Sequence, residues 1–297
     1  MKISVIGAGA LGTFYAAMMA ASGQDVTLVC REKDVATLRQ GITVTGAAEV
    51  AARPAISSRP VPSDVIFVTV KSYDVTGAVK GLPLHPGTIV VVVHNGLGAD
   101  ETAAEVLGPC RVATGVSYCG VTFVRAGEVR LAGYTETVLG SANPDARDRL
   151  DVPLYALTGA GLKARIAGDI RAEQWKKMFA NVGINAVTAL TGLPNGALLE
   201  VPELEALVKA SVAEAAAVAG RSGIKVDVDP VELTFGVIRA TAGNRSSMLQ
   251  DVARGRRTEI DALNGYVCGL GEKCGIPTPV NDTLTALVKG IEHRGGR

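Results

Sequence analysis

The first half of the chain alternates short apolar runs with stretches of helical periodicity. Apolar runs of strand length occupy residues 3–7, 25–29, 64–70 and 88–93, and a helix of small residues is predicted over 13–22. Near-continuous runs of this kind are typical of parallel strands that are covered by helices on both faces. Strands that alternate with helices at this spacing predict an α/β fold with a doubly wound sheet.

The pattern changes between residues 111 and 140. Four β-like segments there are separated by turn signals such as Arg125-Ala126-Gly127-Glu128, which predicts antiparallel strands added at the edge of the sheet. After residue 168 strand patterning almost disappears. We expect an N-terminal α/β domain over residues 1–167 and a C-terminal all-helical domain over residues 168–297. Helical stretches in the second domain are predicted at 173–190, 202–223, 231–243, 246–255 and 258–275.

Composition narrows the class of partner. The 297 residues are 47 % hydrophobic and 20 % charged, and 30 Lys and Arg against 29 Asp and Glu give a net charge of +1. This balance is ordinary for a globular enzyme and indicates neither nucleic-acid nor membrane binding. Glycines interrupt the N-terminal apolar run, which argues against a signal peptide. Five scattered cysteines form neither a CxxC pair nor a plausible disulfide framework, and no metal site is expected. We expect a cytoplasmic protein that binds a small molecule.

A glycine-rich loop follows the first predicted strand and opens the first predicted helix. It reads GAGALG over residues 7–12 and is called the glycine loop below. In such loops the first Gly permits a tight turn, the second lets the backbone approach a pyrophosphate, and the third allows close packing of helix and strand. The alternative, a glycine-rich turn without a ligand, does not require this strand–loop–helix context. The loop therefore predicts a Rossmann-type dinucleotide site at the helix N-terminus.

The end of the second predicted strand bears on the choice between NAD and NADP. An Asp or Glu there bonds the ribose 2′-hydroxyl, whereas an Arg accommodates a 2′-phosphate. Here the strand ends in Cys30 and Arg31, without a carboxylate at that position. NADP(H) is favoured. The alternative is that Arg31 is a solvated loop residue.

Two polar residues follow the later predicted strands. Lys71 ends the run over 64–70, and Asn95 follows the run over 88–93. Open α/β sheets bind ligands outside the carboxyl ends of their strands, so both residues lie at positions suited to binding. For each residue alone, ordinary loop polarity remains an equal alternative.

A polar stripe runs along the helix predicted over residues 173–190. Lys177, Asn181 and Asn185 are four residues apart and therefore share one face of the helix. Charged residues are absent from 178–199, whereas a solvent-exposed face usually carries several, so a ligand cleft is favoured. A lysine in a cleft can donate a proton to a carbonyl oxygen once burial brings its pKa toward the working pH.

A second polar cluster spans residues 246–261. It contains Ser246 and Ser247 and, further on, Glu259. Thr258 and Asp261 resemble a helix-capping box, which would place Glu259 in the first helical turn. A structural role and a binding role for Glu259 are both open.

Together these motifs resemble the ketopantoate reductase family over nearly the whole chain. The two long segments are much more specific than the glycine loop. A departure is His94, where many relatives carry Gln. The matching pieces are GAGALG at 7–12, VK at 70–71, HNG at 94–96, WKKMFANVGINAVTALTGLPNG at 175–196 and SSMLQDVARGRRTEIDALNG at 246–265.

The resemblance implies NADPH-dependent reduction of 2-dehydropantoate to pantoate, on the route to pantothenate and coenzyme A. Lys177 matches the general acid that protonates the ketone oxygen. Implied substrate-binding residues are Asn95, Asn181, Asn185, Asn195, Ser247 and Glu259. Implied cofactor-binding residues are Gly7, Ala8, Gly9, Ala10, Leu11, Gly12, Arg31, Lys71, Asn95 and Glu259.

Other functions stay open. A member of the same family could reduce another branched 2-oxo acid. A β-hydroxyacid dehydrogenase also joins a Rossmann domain to helices and uses Lys and Asn four apart, but its glycine-rich substrate motif fits poorly to SYCGVTFVRAG at 117–127. An NADPH-sensing regulator would not need the polar stripe. A homodimer through helical surfaces is compatible with the sequence.

Overall fold

The computed structural model describes residues 1–295, which form two compact units. The first unit comprises Met1–His94 and Ala99–Ile170. The second comprises Asn95–Gly98 and the chain from Arg171 onward. The turn Asn95–Gly98 thus belongs to the helical unit, although it lies within the α/β half of the sequence.

The first unit is built on one sheet, which has ten strands within residues 1–295. Its order is β4-β3-β9-β8-β7-β6-β1-β2-β5, with β10 beside β9. In chain order the strands are β1 (Lys2–Ile6), β2 (Asp25–Val29), β3 (Ile42–Gly46), β4 (Val50–Ala52), β5 (Ala55–Ser57), β6 (Val65–Val68), β7 (Ile89–Val93), β8 (Val112–Arg125), β9 (Glu128–Gly140) and β10 (Ala164–Ile166).

The predicted doubly wound sheet is confirmed. From β5 through β2, β1, β6 and β7 to β8, each strand is parallel to the next, and β6 and β7 are buried throughout. β1 has β2 on one side and β6 on the other. The order of the strands reverses at this point, and sheets of this type bind ligands there, at the carboxyl ends of the strands.

Helices cover both faces of this sheet. One core contains Phe14 and Phe67, and the other contains Ile66, Val75 and Ala103. The two cores are separate because successive side chains of a strand point to opposite faces of the sheet. The helices are α1 (Ala10–Ala21), α2 (Glu32–Leu38), α3 (Val75–Val79), α4 (Ala99–Leu107), α5 (Pro144–Arg147) and α6 (Asp151–Gly159).

The antiparallel strands predicted between residues 111 and 140 form the long hairpin of β8 and β9. Their predicted place at the sheet edge is wrong. β3 pairs with β9 in parallel, and β4 pairs with β3, so two further strands lie outside the hairpin. These strands are short and half-buried, so their hydrophobic pattern is weak and only the long-range pairing identifies them.

The second unit is helical. Its central helix is α7 (Ile170–Thr191), in which Trp175, Phe179 and Val182 are buried. Gly183 lets the helix that contains Val212 pack closely against α7, since a Cβ at this position would lie only 2.9 Å from the Val212 side chain. The other helices are α8 (Pro202–Arg221), α9 (Pro230–Ala240), α10 (Ser247–Ala253), α11 (Asn264–Cys274) and α12 (Pro279–Gly295), with 3₁₀ turns at Asn195–Leu199 and Ile260–Ala262. Among the described residues, no helix combines the length and apolarity that a membrane span requires.

The helix predicted over residues 258–275 is interrupted. A 3₁₀ turn is followed by Leu263, whose ψ of −107° is not helical, and only then by α11. The predicted capping box is wrong as well. The Thr258 N–H donates to Glu292 Oε1 at 2.6 Å, and the Asp261 carboxylate pairs with Lys289 Nζ at 2.6 Å. Both partners come from α12. The Thr258 hydroxyl keeps a local bond, from the Ile260 N–H at 3.2 Å, but the Thr258 N–H is bonded by a distant glutamate and not by residue 261.

Candidate active site

The glycine loop lies at the carboxyl end of β1, where the strand order reverses. Gly7 has a φ of +108°, in the region that favours glycine. A Cβ at Gly12 would overlap the Gly7 carbonyl oxygen and Thr69 Oγ1, so α1 packs closely against the loop. At Gly9, by contrast, no atom of the described residues lies within 4 Å of where a Cβ would project. The loop therefore fits the three roles predicted for its glycines.

The first turn of α1 is suited to an anion. The N-cap is Gly9, which has no side chain to cap the helix, and the first turn contains no acidic residue among those described. The N–H groups of Ala10, Leu11 and Gly12 precede the first intrahelical bond, from the Thr13 N–H to the Gly9 carbonyl. Such N–H groups and the helix dipole favour a phosphate at this end.

Thr69 fixes the glycine loop to β6. Its hydroxyl lies 3.0 Å from the carbonyl of Ile6 and 3.1 Å from that of Gly7, and donates to them. Thr69 is not among the residues predicted from the sequence, although a polar residue in the run DVIFVTV could have signalled it. Lys71 follows half-buried, and precedes a 3₁₀ turn over Ser72–Asp74.

Arg31 lies at the end of β2 with a side chain that is 74 % exposed. Its Nη2 is 3.5 Å from Asp74 Oδ2, so the segments after β2 and β6 approach each other. An exposed ion pair of this length is weak. The guanidinium is therefore available to a phosphate at the position where the 2′-phosphate of NADP is expected.

In the second unit the polar stripe follows α7. Asn185 is buried, while Lys177 and Asn181 are half-buried. The Nδ2 atoms of Asn181 and Asn185 are buried and make no hydrogen bond to any described residue. A buried donor without a partner costs about 1–3 kcal/mol, and such groups are rare in folded proteins. Two such donors on one helix face make this face a candidate ligand site.

Lys176, the neighbour of Lys177, points to different partners. Its Nζ lies 2.8 Å from Asp227 Oδ1 and 3.8 Å from Glu173 Oε1. The hydrogen bond from Lys176 lowers the pKa of Asp227, as does its charge. Lys176 is thus engaged in an ion pair with the loop before α9, away from the stripe.

Three contacts place the turn Asn95–Gly98, the segment after Glu259 and helix α7 next to one another. The Leu97 N–H donates to the Ala262 carbonyl at 3.1 Å, and Gly96 approaches that carbonyl so closely that a Cβ would overlap it. The turn Asn95–Gly98 therefore packs on the 3₁₀ turn that begins just after Glu259. From the same segment, Asn264 Nδ2 donates to the Val182 carbonyl of α7 at 3.2 Å.

The remaining predicted substrate residues differ in exposure. Ser247 is exposed in the first turn of α10, and Glu259 is 6 % exposed. Asn195 is buried; its Nδ2 donates to Thr241 Oγ1 at 2.9 Å, and its Oδ1 has no partner among the described residues. Residues 1–295 contain no group of three His, Cys, Asp or Glu side chains placed to hold a metal ion.

Comparisons with known proteins agree with this architecture. The family model described as Ketopantoate reductase PanE/ApbA matches residues 3–144, and the one described as Ketopantoate reductase PanE/ApbA C terminal matches residues 169–292. A 2-dehydropantoate 2-reductase of Archaeoglobus fulgidus is 34 % identical over 98 % of each chain.

Solved structures share the fold. A PanE/ApbA family ketopantoate reductase from Ralstonia eutropha superposes with a TM-score of 0.91 at 30 % identity over the whole of both chains. The ternary structure of a D-mandelate dehydrogenase with NADH and anilino(oxo)acetate gives a TM-score of 0.92 over the whole of both chains at 24 % identity, which shows the fold alone. The resemblance carried by the motifs is confirmed: the chain is an oxidoreductase that belongs to the ketopantoate reductase family.

Proposed function

We propose that the chain reduces 2-dehydropantoate to pantoate with NADPH. The observation that carries this proposal is the polar stripe, in which Lys177 is followed by the buried amides of Asn181 and Asn185 without partners for their Nδ2 atoms. A binding protein without catalysis has no use for a lysine beside two such donors. Membership of the family and a 34 % identical relative named for this reaction support the choice of substrate.

The first unit would hold the cofactor, which supplies a hydride to the substrate when bound. The N–H groups at the start of α1 receive the pyrophosphate, because they are uncapped and face a space left open at Gly9. Arg31 takes the 2′-phosphate, since the end of β2 offers no carboxylate for a 2′-hydroxyl. The family resemblance assigns Lys71 and Asn95 to the nicotinamide end.

The second unit would hold the 2-oxo acid. Asn181 and Asn185 each offer a buried N–H donor, which suits the oxygens of a keto acid. Ser247 is assigned to the substrate carboxylate. Asn195 offers only its Oδ1, because its Nδ2 is bonded to Thr241, and an acceptor of this kind suits the hydroxyl of 2-dehydropantoate. Glu259 is assigned as the carboxylate that orders cofactor and substrate together.

Lys177 would be the general acid. Reduction of a ketone places negative charge on its oxygen, and an ammonium group stabilises that charge before it transfers the proton. The adjacent Lys176 is held by Asp227, so it does not compete for this role.

The test is NADPH oxidation by the purified chain, measured against 2-dehydropantoate and a panel of other 2-oxo acids that includes 2-oxoisovalerate and phenylglyoxylate. Preference for 2-dehydropantoate by an order of magnitude in kcat/KM supports the proposal. A higher kcat/KM for another acid identifies a paralogue with a different substrate. NADPH binding without turnover of any acid contradicts the enzymatic function, and Lys177→Ala gives the background rate.

A further inference from the structure

A buried pair of hydroxyls joins α7 to the start of α10. Thr188 is fully buried and lies one turn beyond Asn185, and Ser246 is the N-cap of α10, immediately before Ser247. The two hydroxyl oxygens are 2.7 Å apart. Neither residue is among those that the sequence or the family resemblance assigns to the site.

The direction of this hydrogen bond follows from counting protons. The Thr188 hydroxyl has one proton, and it points to two carbonyls of α7, those of Ile184 at 2.9 Å and Asn185 at 3.1 Å. Ser246 must therefore donate to Thr188 Oγ1. Ser246 Oγ in turn accepts from the Leu249 N–H at 3.1 Å. The result is one continuous chain of donors, from the backbone of α10 through both hydroxyls to the backbone of α7.

The segment before Ser246 is fixed from a second side. The Asn195 N–H donates to the Asn244 carbonyl at 3.0 Å, and the Gly196 N–H donates to the Ala242 carbonyl at 2.9 Å. Asn195 also holds Thr241 through its side chain. The exposed Ser247 therefore follows a loop that two other parts of the second unit hold in place.

We propose that Thr188 and Ser246 are positioning residues that set where Ser247 lies relative to Asn185. The inference rests on the proposed function, because the spacing matters only if these two side chains bind parts of one 2-oxo acid. The Ser246 hydroxyl is buried and has one direction in which it donates, so the N-terminal turn of α10 has one orientation against α7. Removal of the acceptor on Thr188 frees that turn without removing any group that touches substrate.

The experiment compares Thr188→Val with Thr188→Ser in the full chain. Valine keeps the shape and removes the hydroxyl, whereas serine keeps the hydroxyl. We expect Thr188→Val to raise KM for the 2-oxo acid by about tenfold, the equivalent of one buried hydrogen bond. The kcat at saturation and the Kd for NADPH change less than about twofold on the same scale, and Thr188→Ser restores KM.

Thr234→Val is the matched control. Thr234 is also fully buried, and its hydroxyl donates to the Pro230 carbonyl within α9 at 2.7 Å. This variant measures the cost of a lost buried hydroxyl without a link to α10. Amide hydrogen exchange gives a readout independent of turnover: the Leu249 N–H exchanges faster in Thr188→Val and stays protected in Thr234→Val.

The outcomes separate the two proposals. If wild-type turns over a 2-oxo acid and Thr188→Val shows native KM with only a lower melting temperature, the pair is structural and the inference is wrong. An equal rise of KM in Thr188→Ser would assign the effect to packing of the lost methyl group, which also contradicts it. If the wild-type chain turns over no 2-oxo acid, the proposed function fails and the inference falls with it.

Discussion

Lys176 Nζ lies 2.8 Å from the Asp227 carboxylate, so the first of two adjacent lysines on α7 forms an ion pair with a loop. Lys177 lies about 100° further round the helix and shares its face with Asn181 and Asn185. The two lysines therefore differ in their surroundings, although they are neighbours in sequence. This difference makes a direct test of the general acid feasible.

We expect Lys177→Ala to lower kcat by about 10²–10⁴, the usual contribution of a positioned proton donor. NADPH binding should be retained, because the proposed cofactor contacts of the first unit are unchanged. Lys176→Ala should keep kcat close to wild type and lower the melting temperature slightly, since it removes the ion pairs with Asp227 and Glu173. Both variants are assayed at saturating NADPH. Loss of activity in Lys176→Ala instead would show that the register of the polar stripe is wrong.

Arg31 is expected to determine the cofactor. Arg31→Ala removes the proposed partner of the 2′-phosphate and should raise KM for NADPH by about tenfold or more, as expected for a charge-assisted hydrogen bond of about 1.5–3 kcal/mol. KM for NADH should hardly change. Asp74→Asn is the control in the opposite direction, because it removes a carboxylate 3.5 Å from the guanidinium and should lower KM for NADPH. Equal catalytic efficiency of the wild type with both cofactors would contradict the assignment.

Ser247 and Glu259 are expected to act on the substrate. Ser247→Ala and Glu259→Ala should each weaken use of the 2-oxo acid by about 1–3 kcal/mol, the cost of leaving a polar partner unpaired. Binding of NADPH alone should change much less. Steady-state kinetics and calorimetry with NADPH measure the two effects separately. Native kinetics together with a lower melting temperature in both variants would mean that the residues are structural.

The sequence predicts those parts of the fold that are determined locally. Strands β1, β2, β6 and β7 and helix α7 are long apolar or periodic segments, and their type follows from pattern alone. β3 and β4 are short, and they become strands by pairing with β9. Helix α12 is absent from the prediction because its apolar face is narrow. Among its described side chains, the buried hydrophobic ones are Leu284 and Val288.

In the candidate site, too, locally determined features were predictable and long-range contacts were not. The glycine loop and the polar stripe follow from spacing, because each belongs to a single element. Thr258 and Asp261 have the sequence of a capping box but do not bond to each other's backbone; besides local contacts with Ile260 and Arg257, they bond to Glu292 and Lys289, about thirty residues later. The link between Thr188 and Ser246 spans 58 residues. Hydrogen bonds between distant residues depend on how the helices pack, and no local pattern specifies that packing.

Substitutions at two glycines of the glycine loop should distinguish an effect on stability from an effect on NADPH binding. Gly12→Ala places a Cβ against the Gly7 carbonyl and Thr69, so we expect a lower melting temperature, with a loss of about 1–3 kcal/mol as in other overpacked sites. Gly9→Ala places its Cβ in open space, so stability should stay close to wild type while NADPH binding weakens. Thermal unfolding and NADPH titration are measured for both. Unchanged NADPH affinity in Gly9→Ala would argue against a pyrophosphate at this loop.

The loss of folding stability at low pH should depend on Asp261. Burial raises the pKa of this carboxyl, but the hydrogen bond and charge of Lys289, with those of Arg257, outweigh burial and hold the pKa below its usual value. A carboxyl with a lowered pKa in the folded state stabilises the fold above its unfolded pKa of about 3.9, and this contribution is lost as the pH falls through the folded pKa.

Asp261→Asn should therefore melt at a lower temperature than the wild type at neutral pH, and the difference should shrink as the pH falls below about 4. Lys289→Met is the matched control, because it removes the nearest cation and leaves the carboxyl in place. In that background Asp261→Asn should have a much smaller effect at neutral pH. Melting curves of the four proteins across pH measure this directly. The contrary result would be a difference in melting temperature between wild type and Asp261→Asn that stays constant to pH values well below about 3.9. It would show that the ion pair does not stabilise the turn after Glu259. The hydrogen bond between Glu292 and Thr258 would then be the contact through which α12 holds this turn.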